Sequence, residues 1–331
     1  MLGALVLGAL CMTALGSGAD AGTPDTAEDL LVKARKIATV ESFAGVVEVL
    51  WIDDDGVEHL ERVGARGADG AFVIGVGARR AVGDENDRFT SSGDDHTTRW
   101  KGKGGAHAPR PGESWDLEIA GRRHVAGRSA TVVIARGEDG RVRARFAIDR
   151  ETGQLLRRAV LNERGVAVRV MRFVTIITGG VDAPAPAMPS ASNDDTPVAI
   201  KTLPSGFVAQ ADVGSGYRLL GQYLQPDGAV QLYYSDGLFT ASVFQRSGRL
   251  DWDALPPGTP AAIEGVRARS YATPTGTLVV WGDRDVVLTA VGDGPPDAVI
   301  GIVAEMSANP SDDQSWFDDV TDFVFGPFDW E

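Results

Sequence analysis

A β-hairpin is predicted by the stretch Gln231-Leu232-Tyr233-Tyr234-Ser235-Asp236-Gly237-Leu238-Phe239-Thr240-Ala241-Ser242-Val243-Phe244. Apolar and aromatic residues form both arms, and Ser235-Asp236-Gly237 lies between them. Asp-Gly between two such arms is a strong hairpin signal, because glycine accepts the positive φ that tight hairpin turns need. The second half of the chain is therefore expected to contain an antiparallel sheet.

Length and composition indicate a two-domain globular protein. The chain has 331 residues, of which 43% are hydrophobic and 24% charged. These values are sufficient for two domains of ordinary size with their own cores. The formal net charge of −14 argues against a nucleic-acid-binding protein, because such proteins need a basic surface.

The N-terminal segment indicates export from the cytoplasm. Leu2–Leu15 is almost entirely apolar, and Ala19-Asp20-Ala21 resembles a signal-peptide cleavage site. No Lys or Arg precedes the apolar run, which leaves an uncleaved anchor open, and Cys11, the single cysteine, leaves a lipoprotein open. Residues 1–21 are therefore expected to be a signal peptide or N-terminal membrane anchor. The rest of the chain is expected to be extracytoplasmic, in the periplasm or cell envelope.

A helix followed by an antiparallel meander is predicted for residues 25–178. Thr26–Val40 has apolar residues at helical spacing, and Thr26 is a favourable N-cap. From Phe43 the apolar period changes to two, and turns containing glycine separate the strands. Residues 79–112 are rich in Gly, Asp, Arg and Lys, and they are expected to hold short strands within long loops.

The first predicted strand, Phe43–Ile52, is apolar on both faces. One face carries Phe43, Val47, Val49 and Trp51, and the other carries Val46, Leu50 and Ile52. Half-buried antiparallel strands usually alternate apolar with polar residues, so this strand is expected to need cover on both faces. The N-terminal helix provides one cover, and the other face lines either a closed core or an apolar cavity.

Three further segments follow. Residues 179–199 are rich in Pro, Ala, Ser and Asp, which predicts a linker. Residues 200–307 predict a smaller antiparallel sheet with a terminal helix that opens at Pro295-Pro296. Residues 308–331 form an acidic aromatic tail, which is expected to dock on its own domain or on a partner.

No catalytic or metal-binding motif is present in the sequence. The histidines lack H-x-H and H-E-x-x-H spacing; they are His59, His96, His107 and His124. There is also no G-x-S-x-G turn and no phosphate-binding glycine loop. We therefore expect a protein that is not an enzyme and that uses no cofactor and no metal.

Short sequence words, in a shared order across both halves of the chain, resemble the MucB/RseB family of extracytoplasmic sigma-factor regulators. In the first half they are Ala126-Gly127-Arg128, Asp139-Gly140-Arg141, Ile148-Asp149-Arg150-Glu151-Thr152-Gly153, Leu155-Leu156-Arg157 and Asn162-Glu163-Arg164-Gly165. In the second half they are Leu203-Pro204-Ser205-Gly206-Phe207, the Tyr234–Phe239 hairpin and Val279-Val280-Trp281-Gly282-Asp283. The resemblance covers roughly residues 27–307.

The resemblance implies an α+β fold. An N-terminal antiparallel half-barrel, wrapped on helices and similar to the lipoprotein carrier LolA, is followed by a linker and a smaller C-terminal antiparallel sheet with a terminal helix. It also implies that the chain binds the extracytoplasmic segment of a transmembrane anti-sigma factor. A lipid or lipoprotein acyl chain that enters the half-barrel would release this grip and so modulate an envelope-stress sigma factor. The alternatives are a lipid or lipoprotein carrier of the cell envelope and a structural envelope protein without a ligand.

Two groups of candidate site residues follow from this interpretation. The lipid-cavity candidates are Val47, Val49, Trp51, Trp100 and Trp115. The partner-binding candidates all lie in the hairpin, and they are Tyr234, Asp236, Leu238 and Phe239. For Trp100 and Trp115, anchoring of a loop onto the core is an equally good interpretation.

Overall fold

A computed structural model describes residues 26–68, 71–76, 79–84, 88–92, 97–101, 109–179, 197–214, 216–263 and 265–307. The predicted signal or anchor segment, most of the predicted linker and the acidic aromatic tail lie outside these residues. Within them, two antiparallel sheets and three helices form the fold. The α+β class and the predominance of antiparallel strands are thereby confirmed.

The first sheet has eleven strands. They are β1 (Phe43–Ile52), β2 (Glu58–Ala68), β3 (Ala71–Val76), β4 (Arg79–Asp84), β5 (Arg88–Ser92), β6 (Thr97–Lys101), β7 (Asp116–Val125), β8 (Arg128–Arg136), β9 (Val142–Asp149), β10 (Leu155–Leu161) and β11 (Ala167–Thr178). Their order is β6-β5-β4-β3-β2-β1-β11-β10-β9-β8-β7, so the first and last strands in sequence pair at the centre. Two helices accompany this sheet, α1 (Ala27–Val40) and the single turn α2 (Pro111–Ser114).

The second sheet has nine strands. They are β12 (Val198–Ala199), β13 (Asp212–Val213), β14 (Tyr217–Leu224), β15 (Val230–Ser235), β16 (Thr240–Ser247), β17 (Thr259–Ile263), β18 (Val266–Ala272), β19 (Thr277–Asp283) and β20 (Val286–Gly292). The order is β12-β14-β15-β16-β20-β19-β18-β17, and β13 pairs with β14. Helix α3 (Pro296–Ser307) packs on this sheet through buried residues that include Val299 and Ile302.

Helix α1 has the boundaries that its capping chemistry predicts. The Thr26 hydroxyl accepts a hydrogen bond from the backbone N–H of Asp29 at 3.1 Å, which satisfies one free donor at the helix start. Leu31 and Ala34 are buried and pack in one cluster with Val133 and Phe146 of the first sheet. The face of the first sheet that α1 covers is called the inner face below, and the opposite one the outer face.

Strand β1 begins and ends at the predicted residues, Phe43 and Ile52. Its inner-face side chains, Val47, Val49 and Trp51 among them, are buried against Met171 and Phe173 of β11. The expectation of apolar cover on both faces is wrong for the described residues, since outer-face Val46 is 36% exposed. The polar neighbours explain this, because Glu48 on the same face lies between two arginines from adjacent strands.

The predicted hairpin is confirmed as strands β15 and β16. They pair from Val230↔Gln245 to Ser235↔Thr240, with residues 236–239 as the connection. Every residue of β15 is buried, which is typical of a central strand with both faces covered.

The packing of α1 leads to a first prediction. Replacing Leu31, which is fully buried, with alanine should lower the free energy of unfolding by about 2–5 kcal/mol, because a cavity is left under the helix. The matched control is Leu60→Ala, where the leucine is 54% exposed and the expected change is within about 0.5 kcal/mol. Denaturant unfolding of both variants measures the difference. Equal losses would show that α1 does not seal the inner face.

Candidate functional site

The hairpin tip lies at the junction between the two sheets. All four partner-binding candidates are there, and the side chains of Tyr234, Asp236, Leu238 and Phe239 are at most 1% exposed. The tip abuts the segment that leads into α2, because a Cβ added to Gly237 would lie 2.6 Å from the backbone carbon of Arg110. None of the four side chains presents surface to another protein in this arrangement. Their assignment to partner binding therefore stays a prediction.

Local hydrogen bonds give the tip its shape. Asp236 Oδ1 accepts from the backbone N–H of Leu238 at 2.7 Å and of Phe239 at 2.6 Å. The Ser235 hydroxyl donates to the carbonyl of Phe239 and accepts from the N–H of Gly237. Gly237 has a φ of +87°, a region that other residues rarely adopt. The Ser-Asp-Gly sequence thus fixes the direction in which Leu238 and Phe239 leave the turn.

Phe239 is the apolar contact between the sheets. Its ring meets Trp115 edge to face, with 5.3 Å between the ring centroids. The guanidinium of Arg158 in β10 lies 4.8 Å above the same ring, within the range of a cation–π interaction. Trp115, a lipid-cavity candidate, therefore packs at the junction and anchors the start of β7 there.

Asp293 connects the sheets through both of its carboxylate oxygens. Oδ1 accepts from the backbone N–H of Thr240, at the start of β16, at 2.7 Å. Oδ2 accepts from Arg158 Nη1 at 2.8 Å, and the Asp293 carbonyl accepts from both Arg158 and Arg169. The side chains of Arg158 and Asp293 are only 3% and 7% exposed. We call this arrangement the Asp293 clamp.

Burial shifts the ionisation of the groups around the clamp. It lowers the pKa of Arg35 and of Arg169 to about 10, and it raises the pKa of the Asp236 carboxyl to about 7. Asp236 Oδ2 and the indole Nε1 of Trp115 have no hydrogen bond of good geometry, although the indole is near enough to lower the pKa of this carboxyl slightly. A carboxyl half protonated near neutral pH is thus buried beside the clamp.

Three contacts extend the junction beyond the clamp. Arg143 donates to Asp297, in the first turn of α3, at 3.1 Å. Arg218 of β14 donates to Glu113 of α2 at 2.8 Å. At the other end of the second sheet, the N–H of Ala272 donates to Asp54 in the turn between β1 and β2 at 3.0 Å.

The lipid-cavity candidates do not form one cavity among the described residues. Val47, Val49 and Trp51 belong to a packed cluster on the inner face, where Trp51 stacks on His59 at 4.9 Å between ring centroids. The hollow beside Val47 has a volume of ≈ 10 Å³, about the room for a single water molecule. Trp115 lies apart from this cluster, and the side chain of Trp100 in β6 lies outside the described residues. Lipid binding by these residues stays a prediction.

Neither a metal site nor a membrane-spanning helix is found in the described part of the chain. No three His, Cys, Asp or Glu side chains come together there to hold a metal ion. No helix in those ranges is long and apolar enough to cross a membrane.

The charged residues of the junction were not predicted. Arginine is mostly found exposed to solvent. Three arginines at the junction are nevertheless buried, namely Arg35, Arg158 and Arg169. The one available signal was Asp293-Gly294-Pro295-Pro296, which sequence reasoning used only as a helix start.

Part of the chain is similar to a known protein family. Residues 79–198 match the family model described as the MucB/RseB N-terminal domain. The resemblance to the MucB/RseB family is confirmed. Among curated proteins there is no match.

Several solved structures align with most of this chain. The structure of the Pseudomonas aeruginosa MucA/MucB complex aligns with a TM-score of 0.51 and 22% identity, over 87% of this chain and 99% of that chain. A structure of MucB in complex with MucA(peri) aligns with a TM-score of 0.47 and 22% identity, over 83% and 96% of the two chains. A LolA superfamily protein from Nitrosomonas europaea aligns with a TM-score of 0.20 and 9% identity, over 81% and 92%. The first alignment shows that this chain has the fold of MucB.

The Asp293 clamp leads to a second prediction. Arg158→Met and Asp293→Asn should each lower the free energy of unfolding by about 3–5 kcal/mol, because each leaves a buried charged or polar partner unpaired. The control is Arg249→Met, which breaks the ion pair with Asp285; Arg249 is 57% exposed and the expected cost is below about 1 kcal/mol. Chemical denaturation measures all three variants, and the double variant completes a thermodynamic cycle. If Arg158→Met costs no more than Arg249→Met, the clamp does not hold the sheets together.

Asp236 leads to a third prediction, on pH. Its pKa is about 7 in the folded protein and about 3.9 in an unfolded chain. The folded state therefore binds more protons between these values, so the stability that this group contributes is present below pH of about 4 and is lost as the pH rises towards 7. Asp236→Asn keeps an oxygen for the two backbone donors but does not titrate. The free energy of unfolding of the variant, relative to the parent, should rise between pH 4.5 and 8.

Unfolding curves of the two proteins at several pH values test this directly. Groups that titrate in both proteins cancel in the comparison, so the difference isolates Asp236. A difference that is constant across the range would mean that Asp236 is ionised throughout.

Proposed function

We propose that this chain is an extracytoplasmic regulatory protein, without catalytic activity, that binds the extracytoplasmic segment of a transmembrane anti-sigma factor and so modulates an envelope-stress sigma factor. The observation that carries the proposal is the shared fold with MucB, which was solved in a MucA/MucB complex and is matched over 99% of its length. The match of residues 79–198 to the MucB/RseB N-terminal domain supports the same conclusion independently.

We infer that the partner binds the arrangement in which the two sheets are joined. The hairpin residues Asp236 and Phe239 are buried in this arrangement, so their contribution is to hold the second sheet against the first. We call the clamp closed when Asp293 is bound to both Arg158 and Thr240, and opened when the bond to Arg158 is broken. The partner segment then contacts surfaces that exist only while the clamp is closed. This role for the hairpin is indirect, in contrast to the direct grip that the sequence predicted.

Lipid binding on the inner face could affect the junction between the sheets through a shared residue, Arg158. We infer that the first sheet curves as a LolA-like half-barrel around α1, with its inner face as the lipid site. The small hollow there is lined by Val47, Met171 and Arg158. Val47 is a lipid-cavity candidate, and Arg158 is a residue of the Asp293 clamp. An acyl chain that enters beside Val47 must displace these side chains, because the hollow holds about one water. Such a ligand binds the closed and the opened clamp with different affinity, which is the condition for a switch.

The carrier alternative receives less support. A carrier needs an open apolar cavity, whereas the described inner face is filled by its own side chains. A carrier also has no use for a second sheet that is joined through buried ion pairs.

The first experiment identifies the partner, and it gives the fourth prediction. The full chain is crosslinked in its own membranes and captured, and the recovered proteins and lipids are determined by mass spectrometry. We expect a single-pass membrane protein whose cytoplasmic part binds a sigma factor. Recovery of lipid without such a protein would favour the carrier.

A locked variant then tests the role of the junction. A Cβ added to Gly216 would lie 3.2 Å from Ser114 Cβ, close to the about 3.5–4.5 Å between the Cβ atoms of a disulfide. Ser114→Cys with Gly216→Cys, in a Cys11→Ser background, therefore joins the sheets when oxidised. Gly216 has a φ of +82°, so the new cysteine carries strain of about 1–2 kcal/mol.

The oxidised variant should bind the recovered extracytoplasmic segment as the parent does, and added membrane lipid extract should no longer release it. The same variant after reduction is the control, and it should regain release by lipid. Loss of binding on oxidation would instead show that the hairpin residues contact the partner directly after the sheets part.

A further inference from the structure

The outer face of the first sheet carries a concentrated positive charge. Arg62, Arg172 and Arg157 lie in one row across neighbouring strands, with Glu48 between the first two. Arg145 of β9 and Arg123 of β7 continue the positive surface towards the edge strand. We call these five arginines and the surface between them the arginine face.

Most of this charge has no counter-ion among the described residues. Glu48 accepts hydrogen bonds from both Arg62 and Arg172, so its carboxylate neutralises part of the charge of these two residues. Arg123, Arg145 and Arg157 form no ion pair in the ranges that the structure covers. Burial and the positive charges of Arg123, Arg172 and Arg145 together lower the pKa of Arg157 to about 10.

The arginine face is also partly apolar. Exposed aliphatic side chains stand on the same strands, namely Val46 and Leu60 at one side and Val174 and Ile177 along β11. At the end of the face, the turns after β8 and β10 border an open hollow of ≈ 720 Å³, whose charged lining residues are four arginines and one acid: Arg136, Arg141, Arg145, Arg164 and Glu163. A ligand for this surface therefore needs several carboxylates together with large apolar groups.

The C-terminal segment of the same chain has this chemistry. Residues 308–331 contain no Lys and no Arg. Their acidic residues are Asp312, Asp313, Asp318, Asp319, Asp322, Asp329 and Glu331, and their aromatic residues are Trp316, Phe317, Phe323, Phe325, Phe328 and Trp330. Carboxylates bind guanidinium groups through paired hydrogen bonds, and aromatic rings pack on guanidinium and aliphatic groups alike.

The described chain ends at Ser307, a few extended residues away from the level of the arginine face. Asp297, in the first turn of α3, contacts Arg143, which is two residues from Arg145 in β9. Asp297 is the second of the 12 residues of α3, so the helix ends about 15 Å from that contact. Five extended residues span about 17 Å, which is enough for a chain that turns back after Ser307 to reach the level of Arg143 at Asp312. The acidic and aromatic residues that follow are then available to lie along the face.

We propose that residues 312–331 dock in cis on the arginine face. Their carboxylates pair with Arg123, Arg145 and Arg157, and their aromatic rings cover the exposed aliphatic side chains. Covalent attachment favours this occupant over a separate molecule, because a short tether gives an effective concentration of about 1 mM or more.

Distances within the full-length chain test this proposal. In a Cys11→Ser background, spin labels are attached to Ser315→Cys in the tail and to Glu138→Cys in the exposed turn after β8. We expect a short and narrow distance distribution by pulsed electron paramagnetic resonance. Arg145→Gln together with Arg157→Gln should broaden it, and so should 1 M NaCl, which screens charges beyond about 3 Å. Lys201→Gln, an exposed cation on the other side of the linker, is the matched control and should leave the distribution narrow.

Each remaining outcome would overturn the proposal. A broad distribution in the starting protein means that the tail does not dock, and a narrow one that the double variant leaves unchanged means that it docks elsewhere. Loss of the narrow component on dilution with unlabelled chain means docking between copies. A broad distribution that narrows only with phosphatidylglycerol vesicles assigns the arginine face to a membrane surface. Unfolding curves of all variants separate these results from a loss of fold.

Discussion

One buried carboxylate, that of Asp293, is the constraint on which the relation between the two sheets depends. It lies in the short connection between β20 and α3, and its two oxygens bind β16 of its own sheet and Arg158 of the other. A buried ion pair adds little stability compared with apolar packing, but it is costly to break on one side only. It therefore favours a single arrangement of the sheets over a loosely packed alternative. The ring of Phe239, between Trp115 and Arg158, supplies the apolar contact that excludes water from the pair.

The clamp also links the junction to the inner face of the first sheet, because Arg158 belongs to both. Arg158 faces the junction with its guanidinium and borders, with Val47 and Met171, the small hollow of the inner face. A displacement of side chains on the inner face would therefore move Arg158, which holds the contact between the sheets. The contact between Asp297 and Arg143 places the start of α3 beside β9 of the first sheet.

Sequence patterns predicted those elements in which local chemistry decides the structure. Thr26 caps α1, the period of two defines β1, and Asp236-Gly237 turns the hairpin, because in each case the signal lies within a few residues. Edge strand β7 was not predicted, since most of its residues are exposed and show no apolar alternation. The clamp was not predictable either, because it joins Arg158 and Arg169 to Asp293 across more than a hundred residues. The burial of Phe239 was not predictable for the same reason, because it comes from contacts with Trp115 and with Arg158 of the other sheet.

The pairing of β1 with β11 has a consequence for how the molecule forms. These two strands lie at the centre of the first sheet, yet the nine other strands of that sheet come between them along the chain. Contacts between such distant residues close a long loop, and they are associated with slow folding. The two halves of the meander, β2–β6 and β7–β10, consist of neighbouring strands and can form earlier as local units. Completion of the sheet, and with it the platform on which the clamp closes, therefore waits until β11 has been synthesised.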